Sequence, residues 1–351
     1  MPRRSKLPFP EVAQWTTGHV AAHPKDFTKA LAFRFGVTRA AAASIVRQLE
    51  ASGFLLRFGG STRPRFSAGA TRWVSHEYAL PDVDESLLWE RDFSPFVELP
   101  DNVRNILHHG FTEMVNNASE HSGGERVHVE LECGLAGMCV LRVMDDGIGI
   151  FRKITDTLKL PDPRLSLLEL SKGKFTSDSS RHSGEGVFFT SRMFDGFFID
   201  ANQLGYDRFE GPDGRLDETD SLHVASRDGQ PVGTGITMAI GATTRRTARE
   251  VFEHFTPDVP DDYSFSKTTI PVKLAAFGDE NLLSRSQAKR LVARIDQFKN
   301  VELDFSGVDE IGQAFADEVF RVFGKTHPLV VLEAIHANAY VAGMIRRVKG
   351  A

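Results

Sequence analysis

The spacing of hydrophobic positions changes character along this chain and divides it into three segments. In the first, Phe27, Leu31 and Phe35 recur at steps of four, which predicts a short helix over Phe27–Arg34. Gly36-Val37 makes a turn, and Thr38 is placed to cap a second helix over about Arg39–Ser52. Ala42, Ile45, Val46 and Leu49 form the inward stripe of that helix, and Ala40, Ala43, Ser44 and Arg47 the opposite one. After Gly53 a strand is expected over Phe54–Phe58, then the loop Gly59-Gly60-Ser61-Thr62-Arg63-Pro64-Arg65, then a second short strand.

The second segment opens with a helix from Asp101, after Pro100, with the apolar stripe Val103, Leu107, Phe111, Met114, Val115 and Ala118. Another face of it presents Glu113, Asn117 and His121 at steps of four, aligning a carboxylate, an amide and an imidazole along one side. Alone, that stripe reads as a solvated face. Two strands follow, Arg126–Cys133 and Met138–Val143, joined by Gly134-Leu135-Ala136-Gly137. The second runs into Asp145-Asp146-Gly147-Ile148-Gly149-Ile150. A buried carboxylate at a strand end, followed by glycines that admit close backbone approach, suits a hydrogen bond to an adenine amino group; an Asp-Gly turn is the plain structural reading. A polar stretch, Ser171–Ser183, leads to Gly184-Glu185-Gly186-Val187 and an apolar helix over Phe188–Phe194. Glycines at a helix start leave backbone N–H groups open to phosphate. One more strand contains Gly233-Thr234-Gly235-Ile236-Thr237, and the polar stretch Asp207–Gln230 interrupts the later strands.

In the third segment strands over 269–274, 301–305 and 329–332 alternate with helices over 287–298, 311–323 and 339–348. Leu291, Ile295 and Phe298 face inward on the first of these helices, and Ile311, Phe315 and Val319 on the second. Acidic, proline-interrupted stretches near 80–90 and 245–262 separate the segments. The expected domains are therefore residues 1–82, 90–245 and 263–351.

Charge sharpens this division. The net charge of -5 conceals 12 Lys and Arg against 4 Asp and Glu in residues 1–80, and 30 against 43 in the remainder. A basic first quarter on an acidic body points to a polyanion partner at one end. No run of about 18 apolar residues exists, so no membrane partner is expected. The basic N-terminus has no apolar stretch behind it, so no signal peptide is expected and the cytoplasm is the expected compartment. Cys133 and Cys139 make neither a disulfide scaffold nor a zinc site; they are expected to be buried thiols at opposite ends of the 126–143 hairpin.

The helix, turn, helix and basic hairpin of the first segment resemble a winged helix-turn-helix domain. Such domains lay the second helix in the major groove and the wing on phosphate, which would make DNA the partner and Arg39, Arg47, Arg57, Arg63 and Arg65 its contacts. The outward stripe is mostly alanine, so phosphate contacts and shape would carry much of the affinity. Winged helices also serve purely as protein-binding modules.

In the second segment the order of the boxes matters more than any one of them. E-x-x-x-N-A-x-x-H, D-x-G-x-G, G-x-G and a terminal G-T-x-x-T strand, over about residues 95–242, resemble the GHKL ATP-binding superfamily. That resemblance implies an α/β sandwich, a mixed sheet with helices on one face. It implies ATP and Mg2+ as cofactors, Asn117 as the magnesium-holding asparagine, and Asp145 as the adenine-recognising aspartate. Gly147 and Gly149 match the turn beneath the base, Gly184 and Gly186 the phosphate lid, and Thr234 the threonine of the last strand. Glu113 sits where members that hydrolyse or transfer phosphate keep a general base. The Glu113–His121 sub-pattern looks most like the anti-sigma-factor serine kinases. His108 and His109 are expected as packing or surface residues, because no two-helix phosphoacceptor domain precedes the ATP module.

Phrases over 284–290 and 312–318 resemble a STAS-like family. Anti-anti-sigma proteins of that fold carry a phosphorylatable serine opening the helix after the central strand. Here Asp309-Glu310-Ile311-Gly312-Gln313-Ala314 has no hydroxyl at that position, although Ser306 lies nearby. The segment is expected to be a regulatory module that binds a protein partner or a second copy of the chain. Together these readings describe an α/β multidomain protein of winged helix-turn-helix, GHKL and STAS-like domains. Two functions stay open: an ATP-controlled regulator of nucleic-acid or partner binding, or a serine/threonine kinase with Glu113 as base.

Overall fold

The computed structural model describes residues 9–60, 63–80, 83–134, 137–174, 185–210, 216–222, 233–256, 265–276 and 280–350. They form two compact units, Met1–Asp145 with Thr237–Arg245, and Asp146–Ile236 with Arg246–Ala351.

In the first unit, α1 (Phe9–His19), α2 (Phe27–Arg34) and α3 (Arg39–Ala51) pack with a hairpin of β1 (Leu55–Phe58) and β2 (Arg65–Ala68). Their shared core includes Val12, Phe27, Leu31, Val46, Leu49 and Phe66. Thr38 caps α3 as its sequence position suggests, its Oγ1 accepting from Ala41 N at 3.2 Å. No helix was expected over α1; Pro10 obscures it in sequence, yet it falls in the first turn, where a missing N–H costs nothing.

The stretch after the hairpin also differs from expectation. β3 (Arg72–Ala79) pairs antiparallel with β4 (Arg126–Cys133) over its whole length, from Arg72↔Cys133 to Ala79↔Arg126. The sheet of the second segment thus starts upstream of the expected junction at 80–90. β5 (Met138–Asp145) pairs on the other side of β4, and the Thr237–Gly241 end of β9 (Thr234–Gly241) comes next. After a short α4 (Glu85–Leu88), the long α5 (Asp101–His121) buries the predicted stripe, and it packs on β4 and β5. Alternation along β5 buries Cys139, Leu141, Val143 and, two residues on, Asp145. Cys133 and Cys139 are direct cross-strand partners, not residues at opposite ends, because β4 ends at Cys133 and β5 begins one residue before Cys139. Both thiols are free and buried.

The second unit holds α6 (Ile150–Leu158), α7 (Leu165–Lys172) and α8 (Gly186–Met193), then β6 (Gly196–Ala201), β7 (Leu204–Glu210) and β8 (Leu216–Leu222). Here the Thr234–Ile236 end of β9 is followed by β6, β7 and β8 in sheet order. The supposed interruption at 207–230 is therefore in part regular strand: β7 and β8 pair antiparallel from Leu204↔Leu222 to Glu210↔Leu216. Antiparallel strands tolerate polar sequence, which hid this pair from the pattern.

After α9 (Ala248–Phe255), β10 (Lys267–Pro271), β11 (Asn300–Asp304) and β12 (Val331–Ile335) form a wholly parallel sheet in that order. α10 (Arg285–Val292), α11 (Gln313–Ala316), a wide helical turn at Asp317–Phe323, α12 (Gly324–Thr326) and α13 (Ala339–Lys349) complete it. The helix expected over 287–298 breaks at Arg294, whose φ is +63°. The Lys172 ammonium donates to the Arg290 and Ala293 carbonyls, each at 2.9 Å, and so terminates α10 from outside. The helix expected from Ile311 starts two residues later, since Ile311 bridges to Leu282 instead. The strand expected at 269–274 ends at Pro271 and gives way to a tight turn, Val272–Ala275. Among the described residues no helix is long and apolar enough to cross a membrane.

Candidate functional site

Within the first unit, α5 presents Glu113, Asn117 and His121, all half-buried, on a side distinct from its buried stripe. Its start is tied down by Asn102 Nδ2, which donates to Thr244 O at 2.8 Å. One turn before Glu113, the helix is wedged by Trp89, which stacks on His108 at 5.4 Å and packs against Phe111 at 5.4 Å. Asn117 Nδ2 lies 4.0 Å from Met114 Sδ, and no partner for Asn117 Oδ1 is seen among the described residues. At the end of β5, Asp145 is only 7% exposed.

Burial, reinforced by neighbouring His108, pulls the His109 imidazole down to about 4. Unfolded, the ring titrates near 6.5, so between those values the unfolded chain binds more protons and stability falls as pH falls. Above 6.5 both states are neutral and the effect vanishes. At pH 5 the loss amounts to as much as about 2 kcal/mol. Urea midpoints at pH 7.5 and 5.0 are expected to differ less in His109→Gln than in the wild type; equal differences would place the acid sensitivity elsewhere.

Within the second unit, the glycine turn is held by side chains far away in sequence. Gly149, at φ +84°, is the N-cap of α6. Ile150 N donates to Thr234 Oγ1 at 3.0 Å, which brings Thr234 to the turn. Asn202, at the β6–β7 turn, donates from Nδ2 to Ile148 O at 2.9 Å and accepts on Oδ1 from Arg152 N at 3.1 Å. A Cβ on Gly149 would collide with the Asn202 carboxamide. Two of the N–H groups in the first turn of α6, those of Ile150 and Arg152, are thus satisfied by Thr234 and Asn202. Sequence reasoning missed Asn202; a turn signal is legible there, but not its partner about fifty residues upstream. Gly186 is the first residue of α8, and Gly184 lies outside the described residues.

No group of three His, Cys, Asp or Glu able to hold a metal occurs among the described residues. Magnesium keeps several waters and phosphate oxygens and needs few protein oxygens, and Asn117 Oδ1 is the donor the resemblance would offer it. When bound, the ion would neutralise phosphate charge.

Arg39, Arg47, Arg57, Arg63 and Arg65 are all exposed, but not equivalent. Arg57 Nε and Nη2 donate to the two oxygens of Glu50 at 2.6 and 3.0 Å, and its guanidinium sits 5.6 Å from the Phe66 ring centroid. Arg57 faces the core side of the hairpin and is engaged with a carboxylate. Phe58, paired with Arg65, and Leu56, paired with Ser67, face outward and are more than half exposed. This apolar outer face was not anticipated.

At the end of β11, buried Asp304 accepts from Ser306 N at 2.8 Å, and His336 Nδ1 lies 3.0 Å from the same oxygen. Gly312 caps α11, and its N donates to Leu282 O at 2.9 Å. A Cβ there would come within 2.8 Å of Leu283 Cα and O, so the approach of that backbone requires glycine.

No curated protein matches the chain. Among solved structures, the crystal structure of an IcIR transcriptional regulator from Alicyclobacillus acidocaldarius covers 70% of this chain and 93% of its own, at 13% identity and a TM-score of 0.16. At that score it bears on neither fold nor function. Residues 287–342 match a family described as a STAS-like domain of unknown function. Residues 102–198, from α5 into β6, match the family described as Histidine kinase-, DNA gyrase B-, and HSP90-like ATPase. The chain therefore carries a GHKL-type ATPase domain, which supports ATP binding, followed by a STAS-like module.

Proposed function

We propose that the chain is an ATP-controlled regulator. Its helix–helix–hairpin segment acts as a winged helix-turn-helix that engages DNA, its ATPase domain holds Mg-ATP, and its STAS-like module passes the nucleotide state to a protein partner or a second copy. The observation that carries the nucleotide part is the buried Asp145 carboxylate, followed in sequence by the Gly147–Gly149 turn, whose neighbours Ile148 and Ile150 are hydrogen-bonded by Asn202 and Thr234. A carboxylate so shielded from water is well suited to accept from an adenine amino group. Asp145 would recognise the base and Asn117 would hold magnesium. Gly147 and Gly149 would lie beneath the base, and Gly184 and Gly186 along the phosphates.

The nucleic-acid part rests on the charge of the first quarter and on the exposed Arg39, Arg47, Arg63 and Arg65. Gel-shift titrations with and without Mg-ATP test the whole scheme: ATP should change the midpoint, since a ligand shifts an equilibrium only through differential affinity. Loss of all shift at low salt in both conditions would remove the DNA arm. The double variant Arg63→Ala/Arg65→Ala is expected to flatten the slope of log affinity against log salt by about 2. Arg57→Ala should barely move it, because its charge is already paired. An unchanged slope in the double variant would take the hairpin off the phosphates.

A second reading is a serine/threonine kinase of the anti-sigma type. It is favoured by the half-buried Glu113, one turn before Asn117, where a general base could take a hydroxyl proton. Transfer of labelled γ-phosphate to protein, lost in Glu113→Ala, would support it over the regulator. The stretch Asp309–Ala314, which carries no hydroxyl, weighs against an acceptor within the chain's own STAS-like module.

A further inference from the structure

The residues matched to the ATPase family end at 198, four positions before the side chain that grips the glycine turn most closely. Ala201 and Leu204 are cross-strand partners, so Asn202 and Gln203 form a two-residue hairpin turn, at φ +52° and +65°. Asparagine tolerates that left-handed backbone, which explains part of its presence. The remainder lies in what its amide does. The oxygen takes Arg152 N in the first turn of α6, and the nitrogen gives to Ile148 O, so one carboxamide ties both flanks of Gly149. Gly149 must lack a side chain because that carboxamide fills the space where one would project. The turn is therefore braced on both its donor and its acceptor sides by one residue.

We propose that Asn202 is a positioning residue for base recognition: by fixing Ile148–Arg152 it fixes the glycine turn that would lie beneath the base. This deepens the ATP-binding reading and rests on it. Asn202 touches the turn and is assigned no contact with nucleotide. Its loss acts through the orientation of the turn, so the base half of the ligand should suffer while the phosphate half does not.

The experiment measures affinities of the full chain for ATP, GTP and inorganic tripolyphosphate by calorimetry, with the melting temperature alongside. Asn202→Gly keeps the left-handed turn accessible and deletes both hydrogen bonds. It is expected to weaken ATP binding roughly ten-fold, the scale of one or two lost hydrogen bonds. Discrimination of ATP over GTP should shrink to a similar degree, and tripolyphosphate binding should stay as in the wild type. Asn202→Asp retains the acceptor for Arg152 N but loses the donor to Ile148 O, and should fall between the two. Gln203→Gly, in the same turn, should leave all three affinities unchanged. Equal loss of ATP and tripolyphosphate, or wild-type ATP affinity in Asn202→Gly, would overturn the proposal. A wild type that binds tripolyphosphate but makes no distinction between ATP and GTP would overturn it too, leaving a phosphate site standing. A wild type that binds none of the three overturns the ATP reading itself, and this inference with it. Should Asn202→Gly fail to fold, the Asn202→Asp and Gln203→Gly pair carries the same contrast.

Discussion

Replacing Lys172 with methionine is expected to destabilise the protein by about 3–5 kcal/mol, the usual cost of stripping one partner from a buried ion pair. An ammonium has three hydrogens to give, and here each has a taker: Glu169 Oε1 at 2.7 Å and the carbonyls of Arg290 and Ala293. The side chain is 1% exposed, and burial pulls its pKa down against the raising influence of Glu169. Removing the charge leaves a buried carboxylate with Arg294 only at 4.0 Å, and two helix-end carbonyls without this donor. Methionine keeps most of the stem, so the loss should reflect charge and hydrogen bonding more than volume. The measurement is the urea transition, with hydrogen exchange of the α10 amides to localise it. The Glu169→Gln/Lys172→Met double variant should lose less than the sum of the single losses. A change within about 0.5 kcal/mol for Lys172→Met would mean that the clamp adds nothing net.

The second large effect concerns the ligand. Mg-ATP at a hundred times its dissociation constant should raise the stability of the wild type by about 2.7 kcal/mol. In Asp145→Ala that protection should vanish if the proposed assignment holds, since the deletion removes the buried carboxylate assigned to the base. Asp145→Asn keeps an oxygen acceptor but adds an NH2 donor facing another amino group, so partial protection at most is expected. Thermal-shift titrations of the three proteins decide the matter. Full protection in Asp145→Ala would move base recognition to another residue and undo the central assignment.

How much of this was readable beforehand depended on the range of the interaction. The α5 stripe, the β4 and β5 alternation and the Thr38 cap are set by residues within a few positions of one another, and the pattern placed them closely. β3 was missed because its pairing partner β4 lies some fifty residues downstream and its own alternation is diluted by Arg72, Ser75 and Glu77. The break in α10 was invisible for a related reason: the group that ends it, Lys172, is 118 residues from the carbonyl of Arg290. The same holds at the site. Glu113, Asn117 and Asp145 stood out by spacing and by a strand end, but it was the order of the boxes, through the resemblance to the ATPase superfamily, that assigned them. Asn202 acquires its role only when the β6–β7 turn meets the glycine turn, and no local pattern announces that meeting. Arg57 shows the converse limit, since its charge counts toward a basic hairpin until Glu50 is seen to hold it.

The lengthwise pairing of β3 with β4 also bears on how this architecture could be taken apart. The N-terminal helices and the ATPase sheet are not beads on a string, for the last strand leaving the former is the marginal strand of the latter. Excision at the acidic stretch near residue 82 would strip that border away and leave the outer rim of β4 with a ladder of orphaned amides and carbonyls, an invitation to foreign chains. A recombination event that swaps the N-terminal module for another must therefore break the chain ahead of Arg72, or bring a replacement strand with it.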